Sequence, residues 1–370
     1  MKYYDMTKLL RTGKDNPPKY RICFGERSNG KTTAVNIYGV TKYWKTRGQM
    51  AVIRRWKEDF RGKRAAAYFD SLICDGNGVN RIKEITKGKY DRVVYQSSKW
   101  YLAYWDEDLQ RNITEPEPFA FAFALSYMEH EKGNSYPNIT TVFFDEFMTR
   151  GVYLPDEFVL FMNTISSIVR SRDNVEIFMA ANTISLHGNP YFAEMGLDVK
   201  TMKKGEIRLF KYGDSKLSVA VEYCDSPNTF KPSDVYFAFQ NEKLRMITSG
   251  SWEFDFYPHL QTTFEDKDIK FSYFVKYEER ILQCDIIIKD NEAFTFIHNK
   301  TTPIKYEDKD IVFTTDADHR LNYFGRLTKP VNKAGKKILY FFVNNKVFYQ
   351  SNEIGEIMNR YLNWSNGMQK

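Results

Sequence analysis

The sequence predicts an α/β protein: a mostly parallel sheet carrying a glycine-rich loop, then a small linker, then a strand-rich α+β domain. Three observations predict it. A full G-x-x-x-x-G-K-[ST] match, Gly25 to Thr32, stands between an apolar run and a helical pattern. Up to residue 222, apolar runs of strand length alternate with helical stretches, and beyond it short strands alternate with Asn, Asp, Lys and Gly turns.

Taken in order, Tyr20 to Phe24 is the apolar run before the loop, and Lys31 to Arg47 reads as a helix stopped by Gly48. Gln49 to Arg54 is the next strand. Arg92 to Gln96 and Trp100 to Trp105, joined by Ser97, Ser98 and Lys99, read as a hairpin inserted between core strands. Phe119 to Leu125, Thr140 to Phe144 and Val175 to Ala181 have the length and unbroken hydrophobicity of strands buried on both faces, with a helix over Pro155 to Val169 between the last two. Cys224 to Ser251 is punctuated by Pro, Asn, Ser and Gly around a short helix, Val235 to Arg245, and reads as a connecting unit. Phe271 to Tyr277, Leu282 to Ile288, Ala293 to Asn299, Ile311 to Thr314, Ile338 to Val343 and Lys346 to Gln350 read as strands, closed by a helix near Ile354 to Trp364. The expected domains are 1–222, a linker or lid at 223–254, and 255–370.

Length and composition agree with this. A chain of 370 residues suggests about two domains. With 42% hydrophobic and 16% aromatic residues, a mostly disordered chain is excluded. The longest apolar runs fall far short of the ~20 residues of a membrane span, and Met1 to Lys14 has no apolar leader core, so neither membrane insertion nor secretion is expected. Four cysteines, at 23, 74, 224 and 284, lack metal or CxxC spacing and fit a reducing, cytosolic compartment. The net charge is +7, with a pI near 8.9. From residue 255 onward 17 basic residues face 16 acidic ones, whereas Thr41 to Arg64 alone holds nine basic residues against Glu58 and Asp59. That stretch fits a polyanion partner or a solvated helix face, and charge alone does not choose.

The chemistry centres on the loop Gly25-Glu26-Arg27-Ser28-Asn29-Gly30-Lys31-Thr32, with Thr33 beside it. Glycines let backbone N–H groups wrap a phosphate, the helix N-terminus adds positive potential, Lys31 neutralises phosphate oxygens and Thr32 holds Mg²⁺. Such a site needs a carboxylate strand, and Thr140 to Glu146 supplies one: Asp145 for the Mg²⁺ shell, Glu146 to polarise the attacking water. Asn182, at the tip of the Val175 to Ala181 strand, is a candidate sensor of the terminal phosphate. Arg170 and Arg172 end the Pro155 to Val169 helix, where they either complement its dipole or reach a neighbouring subunit's nucleotide. Arg54, Arg55 and Lys57, at the tip of the second strand, are candidates for DNA phosphates or for coupling between subunits.

These residues resemble the genome-packaging (encapsidation) ATPases of phi29-like podoviruses. The similarity runs through AVIRRWK (51–57), EKGNSYPNITTVFFDEF (131–147), IVRSRDNV (168–175) and ANTISLHGNPYF (181–192), covers residues 20–195 well, and is only textural in the C-terminal domain. It implies an ASCE-type ATPase domain, a small linker or lid, and an RNase H-like C-terminal domain that looks vestigial as a nuclease. It also implies a homopentameric ring on the portal (connector) of an empty procapsid in the host cytoplasm, with prohead RNA between portal and ATPase, pumping double-stranded DNA with ATP and Mg²⁺. Carried onto this sequence, Gly25 to Thr32 is Walker A, and Asp145 and Glu146 are Walker B and the catalytic glutamate. Arg170 resembles a trans-acting finger, Arg54 a second coupling residue, and Lys132 a family lysine, while Arg150, just after Walker B, is a further candidate for DNA or coupling.

Two other functions fit the same residues. A working two-metal nuclease would need carboxylates converging within about 4 Å of paired ions, and Asp285, Asp316 and Asp318 are the set on offer, although none lies in a nuclease motif. A nucleotide-regulated clamp would bind ATP and hardly hydrolyse it.

Overall fold

The computed structural model describes residues 4–14, 16–26, 29–131, 134–149, 153–182, 189–199, 201–225, 257–260, 262–277, 279–289 and 292–367. They fall into two compact units, the first reaching residue 225 and the second starting at 257. The expected linker and its helix, Val235 to Arg245, lie outside the described residues apart from its first three positions.

The first unit is built on ten strands: β1 (Tyr20–Gly25), β2 (Gln49–Arg54), β3 (Arg92–Gln96), β4 (Lys99–Asp106), β5 (Arg111–Thr114), β6 (Ala120–Ala124), β7 (Ile139–Asp145), β8 (Glu176–Asn182), β9 (Ile207–Lys211) and β10 (Ser218–Cys224). They lie in the order β3-β4-β6-β2-β7-β8-β1-β10-β9, with β5 paired to β4. The six strands from β6 to β10 in that order are mutually parallel, and the antiparallel strands sit only at the two ends. One strand, β8, separates β1 from β7, as expected of a nucleotide-binding sheet with an inserted sensor strand.

Alternate residues of the central strands feed two cores. Val142 and Phe144 of β7 pack with the helix Glu157–Val169 on one face, while Phe143 packs with Val35, Val40 and Tyr43 of the helix Lys31–Thr46 on the other. Burial on both faces explains the unbroken apolar runs. Gly48 does not cap the Lys31–Thr46 helix: Arg47 takes the left-handed position, at φ 61°. Gly48 is needed instead because a side chain there would collide with Thr140.

The second unit has β11 (Ile269–Tyr277), β12 (Arg280–Lys289), β13 (Glu292–Lys300), β14 (Val312–Thr314), β15 (Tyr323–Phe324) and β16 (Val347–Tyr349), in the order β15-β14-β11-β12-β13-β16. β11, β12 and β13 form an antiparallel meander, and β14, β15 and β16 join in parallel. One expected strand is wrong. Ile338 to Val343 is the last half of a helix, Lys333–Val343. Ile338 and Phe341 are buried, Tyr340 and Val343 exposed, and the Asn332 side chain caps the start by accepting from the Gly335 N–H at 2.7 Å. A six-residue apolar run does not distinguish strand from helix, and the capping asparagine six residues upstream decides it.

Candidate nucleotide site

The parallel strands end together. Register places Gly25 of β1 level with Asn182 of β8 and Cys224 of β10, and Asp145 of β7 level with Ala180 of β8. The loop leaving β1 therefore opens at the carboxyl edge, beside the tips of β8 and β7. Gly25 has no room for a side chain, since a Cβ would lie 2.9 Å from the Cys224 carbonyl oxygen, and Gly30 takes φ 90° to start the Lys31–Thr46 helix. The N-terminal segment braces the loop: the Tyr4 N–H donates to the Asn29 carbonyl at 2.8 Å, and its hydroxyl donates to Glu222 at 2.5 Å.

Lys31 is buried and donates to the carbonyls of Gly25 (3.2 Å) and Glu26 (2.7 Å) and to Oδ1 of Asn29 (3.0 Å) and Asn182 (3.4 Å). All four acceptors are neutral. Burial pulls its pKa below the usual lysine value, although Cys224, Cys23, Asp145 and Glu26 act the other way. A buried cation without a carboxylate partner among the described residues, beside a helix N-terminus, is an electrostatic arrangement for an anion. The Asn29 Nδ2, buried in the same loop, has no partner among the described residues.

Across the loop, the Thr32 hydroxyl donates to Asp145 Oδ1 at 2.8 Å. Asp145 Oδ2 accepts from Arg54 Nη2 at 2.6 Å and from the Tyr68 hydroxyl at 3.2 Å. Arg54 Nη1 also reaches Glu146 Oε2, at 3.3 Å. The paired acids differ: the Asp145 side chain is 1% exposed and that of Glu146 is 55% exposed. Glu146, the first residue past β7, takes φ 58°, in the left-handed region. Burial alone would lower the Arg54 pKa, but Asp145, Tyr68 and Glu146 raise it above the ordinary arginine value. A hydroxyl and a carboxylate oxygen in contact, next to a lysine on a glycine loop, fit a nucleotide with its Mg²⁺: Thr32 and Asp145 for the ion, Lys31 and the loop N–H groups for phosphate.

Some expected site residues lie elsewhere. Arg55 is buried on the far side of β2, where it pairs with both oxygens of Glu157, at 2.6 and 2.8 Å, and donates to the Phe147 carbonyl at 2.8 Å. Tyr191 donates to the same Glu157 at 2.7 Å. Arg55 is thus a core ion pair with no face for DNA. Arg172 is a staple: it donates to the carbonyls of Ile168 and Val169 at the helix end and of Tyr136, Pro137 and Ile139 at the start of β7. Arg170 caps the same helix end at φ 41° and donates to the Asn134 carbonyl at 2.6 Å, on the amino edge of the sheet, opposite the loop. Lys57 stands 3.1 Å above the Tyr127 ring. Glu26 pairs with Lys204 at 2.6 Å, and the Thr33 hydroxyl lies 3.4 Å from that of Ser71. Arg27, Ser28, Lys132 and Arg150 lie outside the described residues. Sequence reasoning missed Tyr4 and Tyr68, because both act over long chain separations and belong to no motif.

In the second unit, Asp285 accepts from Ser272 (2.6 Å) and Gln283 (2.9 Å) and meets His298 Nε2 at 2.9 Å. Asp318 is held by Arg320, at 2.6 Å, and belongs with Asp316 to the chain after β14. β14 and β12 lie on opposite sides of β11, so these acids start two strand spacings, about 10 Å, apart. Among the described residues, no group of three or more His, Cys, Asp or Glu side chains could hold a metal ion.

The pattern of the podovirus DNA encapsidation protein (Gp16) family matches residues 111–361. The chain belongs to that family. The DNA packaging protein of Bacillus phage phi29 is 28% identical over 171 residues, and that of Bacillus phage B103 is 26% identical over 176. These stretches cover 45 and 47% of this chain and 43 and 46% of those proteins, so the aligned part spans under half of each curated relative. Solved structures extend the likeness of fold to nearly the whole encapsidation chain. A bacteriophage Phi-29 genome packaging motor assembly superposes with TM-score 0.58 at 20% identity, covering 98% of this chain and 100% of its own. The Phi-28 gp11 DNA packaging motor gives 0.54 at 19%, covering 98% of both. No described helix is long and apolar enough to cross a membrane.

Proposed function

We propose that this encapsidation protein is an ATP-driven motor that translocates double-stranded viral DNA into a procapsid, with residues 1–222 as motor, 223–254 as linker and 255–370 as a C-terminal domain without a nuclease role. The observation that carries the reading is the junction of Thr32, Asp145 and Arg54 at the mouth of the glycine loop, where one carboxylate joins Walker A, Walker B and the tip of β2. When bound, Mg²⁺-ATP would supply the phosphoanhydride whose cleavage drives movement. Lys31 and the loop N–H groups would bind its phosphates, Thr32 and Asp145 would hold the ion, Asn182 would sense the terminal phosphate, and Glu146 would take the proton from the attacking water.

In the ground state Arg54 keeps Glu146 paired, and release of that contact frees the base. Arg170 lies on the sheet edge away from its own Lys31, which favours a role at a neighbour's nucleotide in a homo-oligomeric ring. Lys57 and Arg54 are the remaining candidates of the β2 tip for DNA phosphates or subunit coupling. The family and the motor-like folds support a part in a packaging assembly, and the resemblance of the motifs adds, as proposals, the portal, prohead RNA and a pentameric ring at the procapsid in the host cytoplasm. The test is Glu146→Gln in the full chain: fluorescent ATP binding is expected to stay intact and turnover to be lost. Wild-type turnover in that variant would sink the mechanism. A clamp that binds without hydrolysing predicts no stimulation of turnover by DNA or procapsids in the unaltered protein.

A further inference from the structure

Tyr68 belongs to neither motif, yet it touches the carboxylate on which the proposed Mg²⁺ site depends. It lies on a short 3₁₀ turn, Ala67–Phe69, within the polypeptide inserted between β2 and β3. The turn is fixed by aromatic packing: Tyr68 meets Phe69 at 4.9 Å and Trp100 at 5.5 Å between ring centroids, and Phe60 and Tyr95 meet the other sides of Trp100 at 5.8 and 4.9 Å. Trp100 is fully buried, and its indole N–H donates to the Ala65 carbonyl at 2.9 Å, one turn before Tyr68. The Arg54 guanidinium stands 5.5 Å from the Tyr68 ring. A ring wedged in this way has little torsional freedom, so its hydroxyl is presented to Asp145 at a fixed point.

The two oxygens of Asp145 are addressed from different sides. Oδ1 takes the Thr32 hydroxyl from the loop, and Oδ2 takes Arg54 from β2 and Tyr68 from the insertion. Two donors on one oxygen fix the rotation of the carboxylate and keep the other oxygen turned to Thr32. Arg54 divides its guanidinium between Asp145 and Glu146, whereas Tyr68 donates to Oδ2 of Asp145 and to no second carboxylate among the described residues.

We propose that Tyr68 is a positioning residue for the Mg²⁺-holding carboxylate: from the inserted segment it fixes the rotamer of Asp145 and so sets the Mg²⁺ requirement of the nucleotide site. The proposal rests on the reading of Asp145 as the Mg²⁺ residue. It also gives the insertion a direct mechanical link to the nucleotide, because the exposed Arg61 and Arg64 lie within two turns of Tyr68 on the same segment.

The test is Tyr68→Phe in the full chain, which removes one oxygen and keeps the ring. The probe is N-methylanthraniloyl-ATP, titrated with Mg²⁺ and, separately, bound in EDTA. The variant is expected to need about tenfold more Mg²⁺ for half-maximal tight binding, the size of one charge-assisted hydrogen bond, with its affinity in EDTA unchanged and kcat at saturating Mg²⁺ close to wild type. Phe69→Leu keeps the hydroxyl but loosens the packing that aims it, and is expected to raise the Mg²⁺ requirement by clearly less than Tyr68→Phe does. An unshifted or lowered Mg²⁺ requirement in Tyr68→Phe, an equal loss with and without Mg²⁺, or the same shift in Phe69→Leu would overturn the proposal. Asp145→Asn separates it from its premise. Wild-type Mg²⁺ dependence in that variant defeats the reading of Asp145 itself, whereas loss there with no shift in Tyr68→Phe defeats only the role of Tyr68.

Discussion

Asp145 in the first unit and Asp285 in the second are both buried aspartates with three side-chain partners, and they differ in where their strands deliver them. Asp145 is the last residue of β7, at the edge where the parallel strands stop, and its partners come from a loop helix, a strand tip and an insertion. Asp285 lies inside β12, and its partners Ser272, Gln283 and His298 stand on β11, β12 and β13 of the same sheet. A carboxylate at a strand end can trade a partner for a ligand with no strand unpaired. One held across three strands is part of the sheet. Burial and hydrogen bonding alone therefore do not mark a functional acid; the independence of its partners does.

The comparison breaks most visibly at Lys31. Lys31→Ala removes the cation aimed at phosphate, and kcat/KM for ATP should fall by about a hundredfold or more, measured by steady-state phosphate release. Asp285→Ala, assayed alongside, should keep wild-type ATP turnover. Loss of turnover there would mean that the second unit's aspartate serves the ATPase after all, and metal-dependent cleavage of plasmid DNA that vanished in the same variant would revive the nuclease.

A second contrast lies within two adjacent residues. Arg54 faces the site and Arg55 the core, where its pair with Glu157 is sealed by Tyr191. Arg55→Ala leaves a buried carboxylate without its cation and should cost about 3–5 kcal/mol in urea unfolding. Arg54→Ala leaves Asp145 its Thr32 and Tyr68 donors at the open edge of the sheet, so it should cost less stability than Arg55→Ala and show itself first in turnover. Equal destabilisation by the two would erase the distinction between site and scaffold arginines.

Much of this site was legible in advance, because a glycine loop, a strand ending in Asp-Glu and an Asn-tipped strand are local patterns with fixed consequences once the sheet is parallel. The sheet edge then assembles them. The arginines were not legible. Arg54 ends β2 and Arg55 follows it in a bend, their side chains go to opposite sides of the sheet, and which side is the site depends on register with β7 rather than on any property of the pair. Tyr68 was invisible for a related reason: it reaches Asp145 across 77 residues. The Lys333–Val343 helix was misread because its apolar half fits either period, and the even charge balance of the second unit carried no signal about topology.

The smallest expected effect concerns acid. Burial alone would raise the Asp285 carboxyl, but His298, Ser272 and Gln283 more than offset it and hold the group below its ordinary value of 3.8. A folded-state pKa below the unfolded one means that this aspartate's contribution is complete above the unfolded value and disappears as pH falls through the folded one. Hydrogen exchange of the β12 amides should accordingly show wild type more stable than Asp285→Asn by about 1–3 kcal/mol at pH 6. The gap should close as the pH drops below about 4. Asparagine is nearly isosteric, so packing is held constant and the pH dependence of the difference isolates the charge. If the two proteins lost stability in parallel from pH 6 to pH 2, the three donors would be serving the shape of the side chain rather than its charge, and Asp285 would count as packing alone.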